Sequence, residues 1–268
     1  MFRNTLFSLV LVMSALLPGR VDAEAPPSAS AIVAKSLQSF FFAGSDMKAQ
    51  VVMTLTPASG PKRVREFRML RRNEKKDGEQ KFFMYFNQPA DVRGMTFLIA
   101  KYPQKDDDRW LFVPAINMVK RIAARDAAQS FVGSDFTYEH VSGRDLEADD
   151  HKLLRKGEKV AGKDCYVIES VAKSAAEYKR KISWIDEASF LLIKEEYYNA
   201  KDEIMKVFTA DEIRDVSGIP TITKRTMANK KTGHTTTVVF ADTAYNVGIE
   251  SEIFSERYLK EPPRRWVQ

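Results

Sequence analysis

Apolar residues recur along this chain with two different periods, and the change of period locates its elements. Val33, Leu37, Phe40 and Phe41 fall at i, i+4, i+7 and i+8, the spacing of one face of an amphipathic helix, with Ser30 as the expected N-cap. The residues before it, Glu24 to Ser30, are polar and proline-bearing and read as a lead-in. From Lys48 the period drops to two. Strands are predicted at Ala49 to Thr56, Val64 to Arg71, Lys81 to Asn87, Met95 to Lys101, Arg109 to Val113 and Met118 to Ile122. Turn signals such as Ala58-Ser59-Gly60-Pro61, Lys76-Asp77-Gly78 and Lys105-Asp106-Asp107 separate them, the pattern of an antiparallel meander. The stretch Arg125 to Asp150 breaks the rhythm, setting Phe131, Phe136 and Tyr138 among Gly, Ser and acidic residues. It is too long for a hairpin loop and predicts a lid or crossover. Strands resume at Asp164 to Val171, Tyr178 to Ile185, Phe190 to Tyr198, Ile204 to Val216, Thr221 to Asn229 and Thr235 to Tyr245, and a short helix is predicted at Ile253 to Lys260.

Some strands are apolar on both faces: Phe82-Phe83-Met84-Tyr85-Phe86, Met95 to Ile99, and Trp110-Leu111-Phe112-Val113. An antiparallel sheet with one wet face alternates apolar and polar residues, so either a second layer covers the other face or that face bounds an apolar cavity. One helix is too small a layer for a sheet of about a dozen strands, which curls. The expected fold class is mainly β (α+β), a curved antiparallel sheet around an apolar hollow.

The ends add a compartment. Arg3, an apolar run from Leu6 to Leu17, the Pro18-Gly19 breaker and Val21-Asp22-Ala23 have the layout of a cleavable secretory signal spanning residues 1–23. The run is shorter than the roughly 20 residues of a membrane-spanning helix. The mature chain, residues 24–268, is therefore expected to be a single soluble domain. The one cysteine, Cys165, lies in a strand-like segment far from the new N-terminus, so neither an acyl anchor nor an internal disulfide is expected. Cys165 reads as a buried small apolar residue. Against 36 acidic residues stand 42 basic ones, a net charge of +6 spread along the chain. That balance suits transient contact with anionic surfaces, and nothing in it calls for nucleic acid.

The run Asp107-Asp108-Arg109-Trp110-Leu111-Phe112-Val113-Pro114-Ala115, then Lys120-Arg121-Ile122 and Gly133-Ser134-Asp135-Phe136-Thr137-Tyr138-Glu139, resembles the signature of the LolA-like outer-membrane lipoprotein-sorting proteins. Ser142-Gly143-Arg144-Asp145, Ile185-Asp186, Lys194-Glu195-Glu196-Tyr197-Tyr198 and Pro220 to Met227 continue the likeness over nearly all of the mature chain. The resemblance implies an incomplete β-barrel, a half-barrel with helices plugging its open side, whose apolar face shelters lipid or lipoprotein acyl chains crossing the periplasm. It also implies a monomer without cofactor or catalysis, serving an inner-membrane transporter of the RND type and an outer-membrane acceptor. A non-catalytic accessory or scaffold subunit of such an exporter is the rival reading.

For a carrier, Met84, Phe97, Ile99, Trp110 and Phe112 are the candidate lipid-binding wall, and Phe131, Phe136 and Tyr138 the candidate lid. Met adapts to chain shape, and aromatic residues supply area with a polar edge. Each is equally at home in an ordinary core, and a register slip of one residue inverts the wall. Lys62, Arg63, Arg65, Arg68, Arg71, Arg72, Lys75 and Lys76 form a basic hairpin, suited to anionic headgroups or to a solvated edge. The acidic cluster Asp145, Glu147, Asp149 and Asp150, flanked by His140 and His151, lacks the order of a calcium loop and the spacing of a zinc helix. Arg144 and Asp145 are a candidate pair fastening the lid. Of the three histidines, none stands in a nucleophile-elbow or phosphate-loop context, and His140 with Asp145 is the one hydrolytic pair to consider.

Overall fold

Alternation along β1 (Asp46–Thr56) sends Met47, Ala49, Val51, Met53 and Leu55 to one face, where all five are buried, and this strand lies next to the middle of the sheet. The structure, a computed structural model, describes residues 27–74, 78–103 and 105–267. The signal segment, and Lys75 and Lys76 of the basic hairpin, lie outside the described residues. To one side of β1 follow β2 (Arg63–Asn73), β3 (Gln80–Gln88), β4 (Thr96–Lys101), β5 (Asp108–Val113) and β6 (Met118–Ile122). To the other side lie β13 (Thr235–Tyr245), β12 (Ile219–Asn229), β11 (Ile204–Val216), β10 (Leu192–Tyr198), β9 (Arg180–Asp186), β8 (Lys163–Ala172) and β7 (Asp149–Val160). Every neighbouring pair is antiparallel. The end strands β6 and β7 do not pair, so the curved sheet of 13 strands stays open. The chain thus walks from centre to one edge, crosses once to the far edge, and walks back.

That single crossing, residues 123–148, is the segment in which the alternation fails, and it covers the inner face. Every strand expected from the sequence is present. β7 is added: its sequence is largely charged and exposed, as suits an unpaired edge, and it carries too few apolar residues for periodicity to register. Helix α1 (Ala29–Phe41) is capped by Ser28, whose hydroxyl accepts from the Ala31 N–H at 3.2 Å, and not by Ser30, which lies inside the helix. At its other end the unpaired carbonyls are taken by side chains of β2 and β3. Arg71 donates to the carbonyls of Phe41 and Ala43, Asn73 to those of Phe42 and Gly44, and Gln80 to that of Phe41. The crossover contains α2 (Tyr138–Ser142), and the C-terminus a short turn at Ser251–Ile253 followed by α3 (Arg257–Lys260) and α4 (Arg264–Val267). The expected helix from Ile253 to Lys260 is thus shorter than expected, and α4 was not anticipated.

Both faces of β2 to β5 are covered, which explains their apolar runs. The inner cluster joins Met69, Met84, Phe86, Phe97 and Ile99 to Phe131, Phe136 and Tyr138 of the crossover. The outer cluster joins Leu70, Phe83, Leu98 and Phe112 to Ile249, Ile253, Phe254, Leu259 and Val267 of the C-terminal segment. Trp110 packs against this outer cluster and Leu111 against the inner one. Trp110 and Phe112 therefore do not share a wall with Phe97. With apolar residues on both sides of β5, alternation carries no sign of which side is which.

Candidate functional site

The crossover is held by an aromatic stack and by polar pins. Phe131 lies among the rings of Phe97, Tyr138, Phe86 and Phe67, with centroids at 5.4, 5.8, 6.3 and 6.5 Å. Asp135 is pinned to β13 and β11. Its carboxylate accepts from His234 Nδ1 at 2.5 Å and from the Thr236 hydroxyl at 2.7 Å, its N–H donates to Thr236 at 3.0 Å, and its carbonyl accepts from Lys206 Nζ at 2.7 Å. On the other side the Ser142 hydroxyl donates to Asp107 at 2.9 Å, and Lys101 Nζ reaches the Gly143 carbonyl and the Asp145 carboxylate at 3.0 and 2.8 Å. Gly143 stands in the left-handed region (φ 81°) where a Cβ would meet the Phe41 ring at 2.9 Å, so the crossover passes beneath α1 because that residue is glycine.

Arg144 and Asp145 both fasten this segment, but not to each other. Arg144 pairs with Glu139 and Asp149 at 2.8 Å each, and Asp145 pairs with Lys101. Two further members of the acidic cluster have partners of their own: the Tyr178 hydroxyl donates to Asp149 at 2.6 Å, and Asp150 faces Lys173 at 3.5 Å. His151 bonds Ser170 and the Leu146 carbonyl. Among the described residues no group of three or more His, Cys, Asp or Glu is placed to hold a metal ion. His140 is not beside Asp145. Its Nδ1 accepts from the Thr137 N–H at 2.9 Å, which leaves Nε2–H to donate to the Tyr197 hydroxyl at 3.1 Å, and Tyr197 donates in turn to Glu195. Burial, then Lys206, Lys181 and Arg225, hold the imidazole well below the usual histidine range, so it is neutral. Burial also pushes the Cys165 thiol up to about 11, which makes it a poor nucleophile.

Beneath α1 and the crossover runs a string of cavities that share walls. A cleft of about 310 Å³ opens between α1, Pro103 and Gly143 to Glu147. Through Leu37, Phe41 and Leu146 it adjoins a cavity of about 110 Å³ with mixed walls: Phe40, Phe136, Ile185 and Phe208 on one side, Tyr178, Lys181, Glu195 and Tyr197 on the other. Two smaller cavities follow, of about 60 Å³ against Met47, Met69 and Tyr245 and about 30 Å³ against Val51, Met53, Met84 and Phe131. Arg225 lines the last three of these four. Of the candidate wall residues, Met84 reaches a cavity, Phe97 and Ile99 are packed behind the lid rings, and Trp110 and Phe112 lie on the outer face. Phe136 borders two cavities; Tyr138 packs on Phe97 at 5.3 Å. The charged lining, with Lys181, Glu195, Tyr197 and Arg225, was not singled out from the sequence. The available signal was strand parity: Arg225 alternates with buried Met227 and so faces inward.

An open antiparallel half-barrel whose inner face is closed by one crossover and a helix defines the LolA class of fold. A crystal structure of a LolA superfamily protein from Nitrosomonas europaea matches 87% of this chain and 100% of its own with a TM-score of 0.68 at 18% identity. A family model described only as an uncharacterized protein matches residues 78–261, and the chain belongs to that family; its fold is LolA-like. Two crystal structures are more similar in sequence. A DUF1329 family protein from Desulfovibrio piger is 27% identical over 86% of this chain and 97% of that one, with a TM-score of 0.79. A Vibrio parahaemolyticus domain named for outer membrane lipoprotein sorting is 28% identical over 87% and 98%, also with a TM-score of 0.79. No curated protein matches the chain in sequence. Among the described residues no helix is long and apolar enough to cross a membrane.

Proposed function

We propose that this chain is a periplasmic, non-catalytic carrier that shelters the acyl chain of a lipid or lipoprotein in transit between the inner and outer membranes. The observation that carries the reading is the cover of the inner face: one crossover, itself rich in aromatic rings, lies on an apolar wall and is tied down by polar contacts at Asp135 and at Ser142 to Asp145. Phe131, Phe136 and Tyr138 stand where cargo would stand. Of the cavities under the cover, the cleft of about 310 Å³ at the rim reaches the roughly 300 Å³ at which ligand pockets begin, and those further in, about 110, 60 and 30 Å³, fall below it. Uptake therefore lifts the crossover, replacing its rings by hydrocarbon at about 0.8 kcal/mol per methylene transferred from water. The secretory layout of residues 1–23 and the sorting name of the Vibrio relative support the compartment and the cargo class.

The accessory-subunit reading has one observation in its favour, the filling of the inner face by the protein's own side chains. Native mass spectrometry with organic extraction, on protein isolated from the periplasm without detergent, separates the two. A reproducible co-purifying lipid or acylated species is the expected result. Protein that arrives empty and takes up no fluorescent acyl probe would transfer the assignment to the exporter subunit.

A further inference from the structure

Around the three inner cavities, and among the described residues, Arg225 is the one charged side chain with neither a hydrogen bond nor an ion pair. The acids that line these three are paired: Glu195 is 3.2 Å from Lys181, Asp145 is 2.8 Å from Lys101, and Glu139 and Asp149 share Arg144. The side chain of Arg225 makes no hydrogen bond or ion pair with any described residue, and its Nε is buried without a partner. Its guanidinium sits over three rings instead, 4.7 Å from Phe240, 5.2 Å from Phe40 and 5.6 Å from Phe136. Desolvation alone pulls it down to about 10. The side chain retains some accessible surface, and it stands where the mixed cavity, the Met69 cavity and the apolar cavity beneath Phe131 meet. An unpaired cation held out of bulk water destabilises the protein that holds it. A guanidinium fork with free donors matches a carboxylate or a phosphate.

Resting on the carrier reading, and narrowing it to a cargo class, we propose that Arg225 receives the anionic group of an amphiphilic cargo, a carboxylate or phosphate carried on an acyl or alkyl chain. With the crossover lifted, the anion lies in the mixed cavity against the guanidinium, and the chain takes the place of the Phe136 and Phe131 rings along the wall of Val51, Met53 and Met84. Phe40 of α1 and Phe136 of the crossover flank the guanidinium, so the two covering elements converge on the group that recognises cargo.

The test titrates dodecyl phosphate, dodecanoate, neutral monolauroylglycerol and inorganic phosphate into the wild-type protein, R225K and R225M. Wild type is expected to bind both anionic amphiphiles at least about tenfold more tightly than the neutral one, the factor that one charge-assisted contact supplies. R225M is expected to bring the anionic ligands down to the neutral level without weakening the neutral ligand, and to melt no lower than wild type when empty. R225K retains part of the preference. Wild type binding all three amphiphiles equally would overturn the anion assignment and leave the carrier intact, and this comparison stands even if R225M does not fold. R225M weakening all ligands alike and melting lower would make Arg225 a structural rivet between three rings. Inorganic phosphate competing as strongly as dodecyl phosphate would make a free anion the ligand. If none of the four binds, the carrier reading fails with it.

Discussion

Two covers close this sheet, and they are built from different chemistry. Over the outer face of β2 to β5, the C-terminal segment lays Ile249, Ile253, Phe254, Leu259 and Val267 on Leu70, Phe83, Leu98 and Phe112. Its polar contacts include hydrogen bonds to the backbone: Asp46 accepts the N–H groups of Val247, Gly248 and Ile249 at 2.7, 3.0 and 3.2 Å, and Thr96 donates to the Leu259 carbonyl at 2.7 Å. Over the inner face, the crossover combines an aromatic stack with ion pairs and with the neutral His140 that it carries. Hydrocarbon pressed on hydrocarbon is lost outright when water enters. Buried charges are held at a desolvation cost that water returns on opening, so a cover seated partly on ion pairs gains less from staying shut. The outer cover has the composition of a permanent layer and the inner one that of a movable layer.

The contrast breaks first at the rings. Phe254→Ala and Phe131→Ala each remove a buried phenyl group and should each cost about 3–5 kcal/mol by denaturant unfolding. Only Phe131→Ala should raise uptake of a fluorescent acyl probe, because its cavity lies under the movable cover. Equal uptake by the two variants would erase the distinction between the layers. Asp135→Asn gives a smaller and more local effect. It weakens the bond from His234 while keeping the side chain's shape, and should cost about 1–3 kcal/mol. Amide exchange is the measurement: residues 130–140 should exchange faster while 250–260 keep wild-type protection. Acceleration in both segments alike would show that the two covers open together.

Much of this was legible in the sequence, and the failures have physical causes. Period two located strands such as Ile204–Val216 and Thr235–Tyr245, because each has one face in the core and one toward water. The crossover stood out because no period fits residues 125–150. β7 was missed because an edge strand needs little apolar surface. The face of β5 was unreadable because two covers make both parities apolar, so Trp110 and Phe112 were grouped with Phe97, which lies across the sheet from them. Arg225 was invisible as a site. A lone arginine in Thr221-Ile222-Thr223-Lys224-Arg225 looks like any strand charge until the carboxylates are seen to be occupied by other cations.

The smallest expected effect tests whether the inner cover senses acidity. His140 is neutral in the folded protein because burial and the cations Lys206, Lys181 and Arg225 hold its pKa well below the ordinary histidine value of 6.5. The unfolded chain takes up a proton below about 6.5 and the folded chain does not. The stability this group contributes is therefore full above that pH and lost as pH falls below it, at no more than about 1.4 kcal/mol per pH unit. Glu177, 3.5 Å from the imidazole, acts with the opposite sign: burial raises its carboxyl above 4.5, so its contribution is lost as pH rises through that raised value. The cations Lys206, Lys181 and Arg225 that act on the ring are common to both proteins in a comparison of wild type with His140→Gln. The difference between their melting temperatures from pH 7 to pH 5 thus reads the histidine together with its contact to Glu177. Wild type should lose more stability than His140→Gln over that range, with exchange in 130–140 rising first. Parallel curves would mean that the cover is indifferent to acidity and that cargo contacts, not protons, open it.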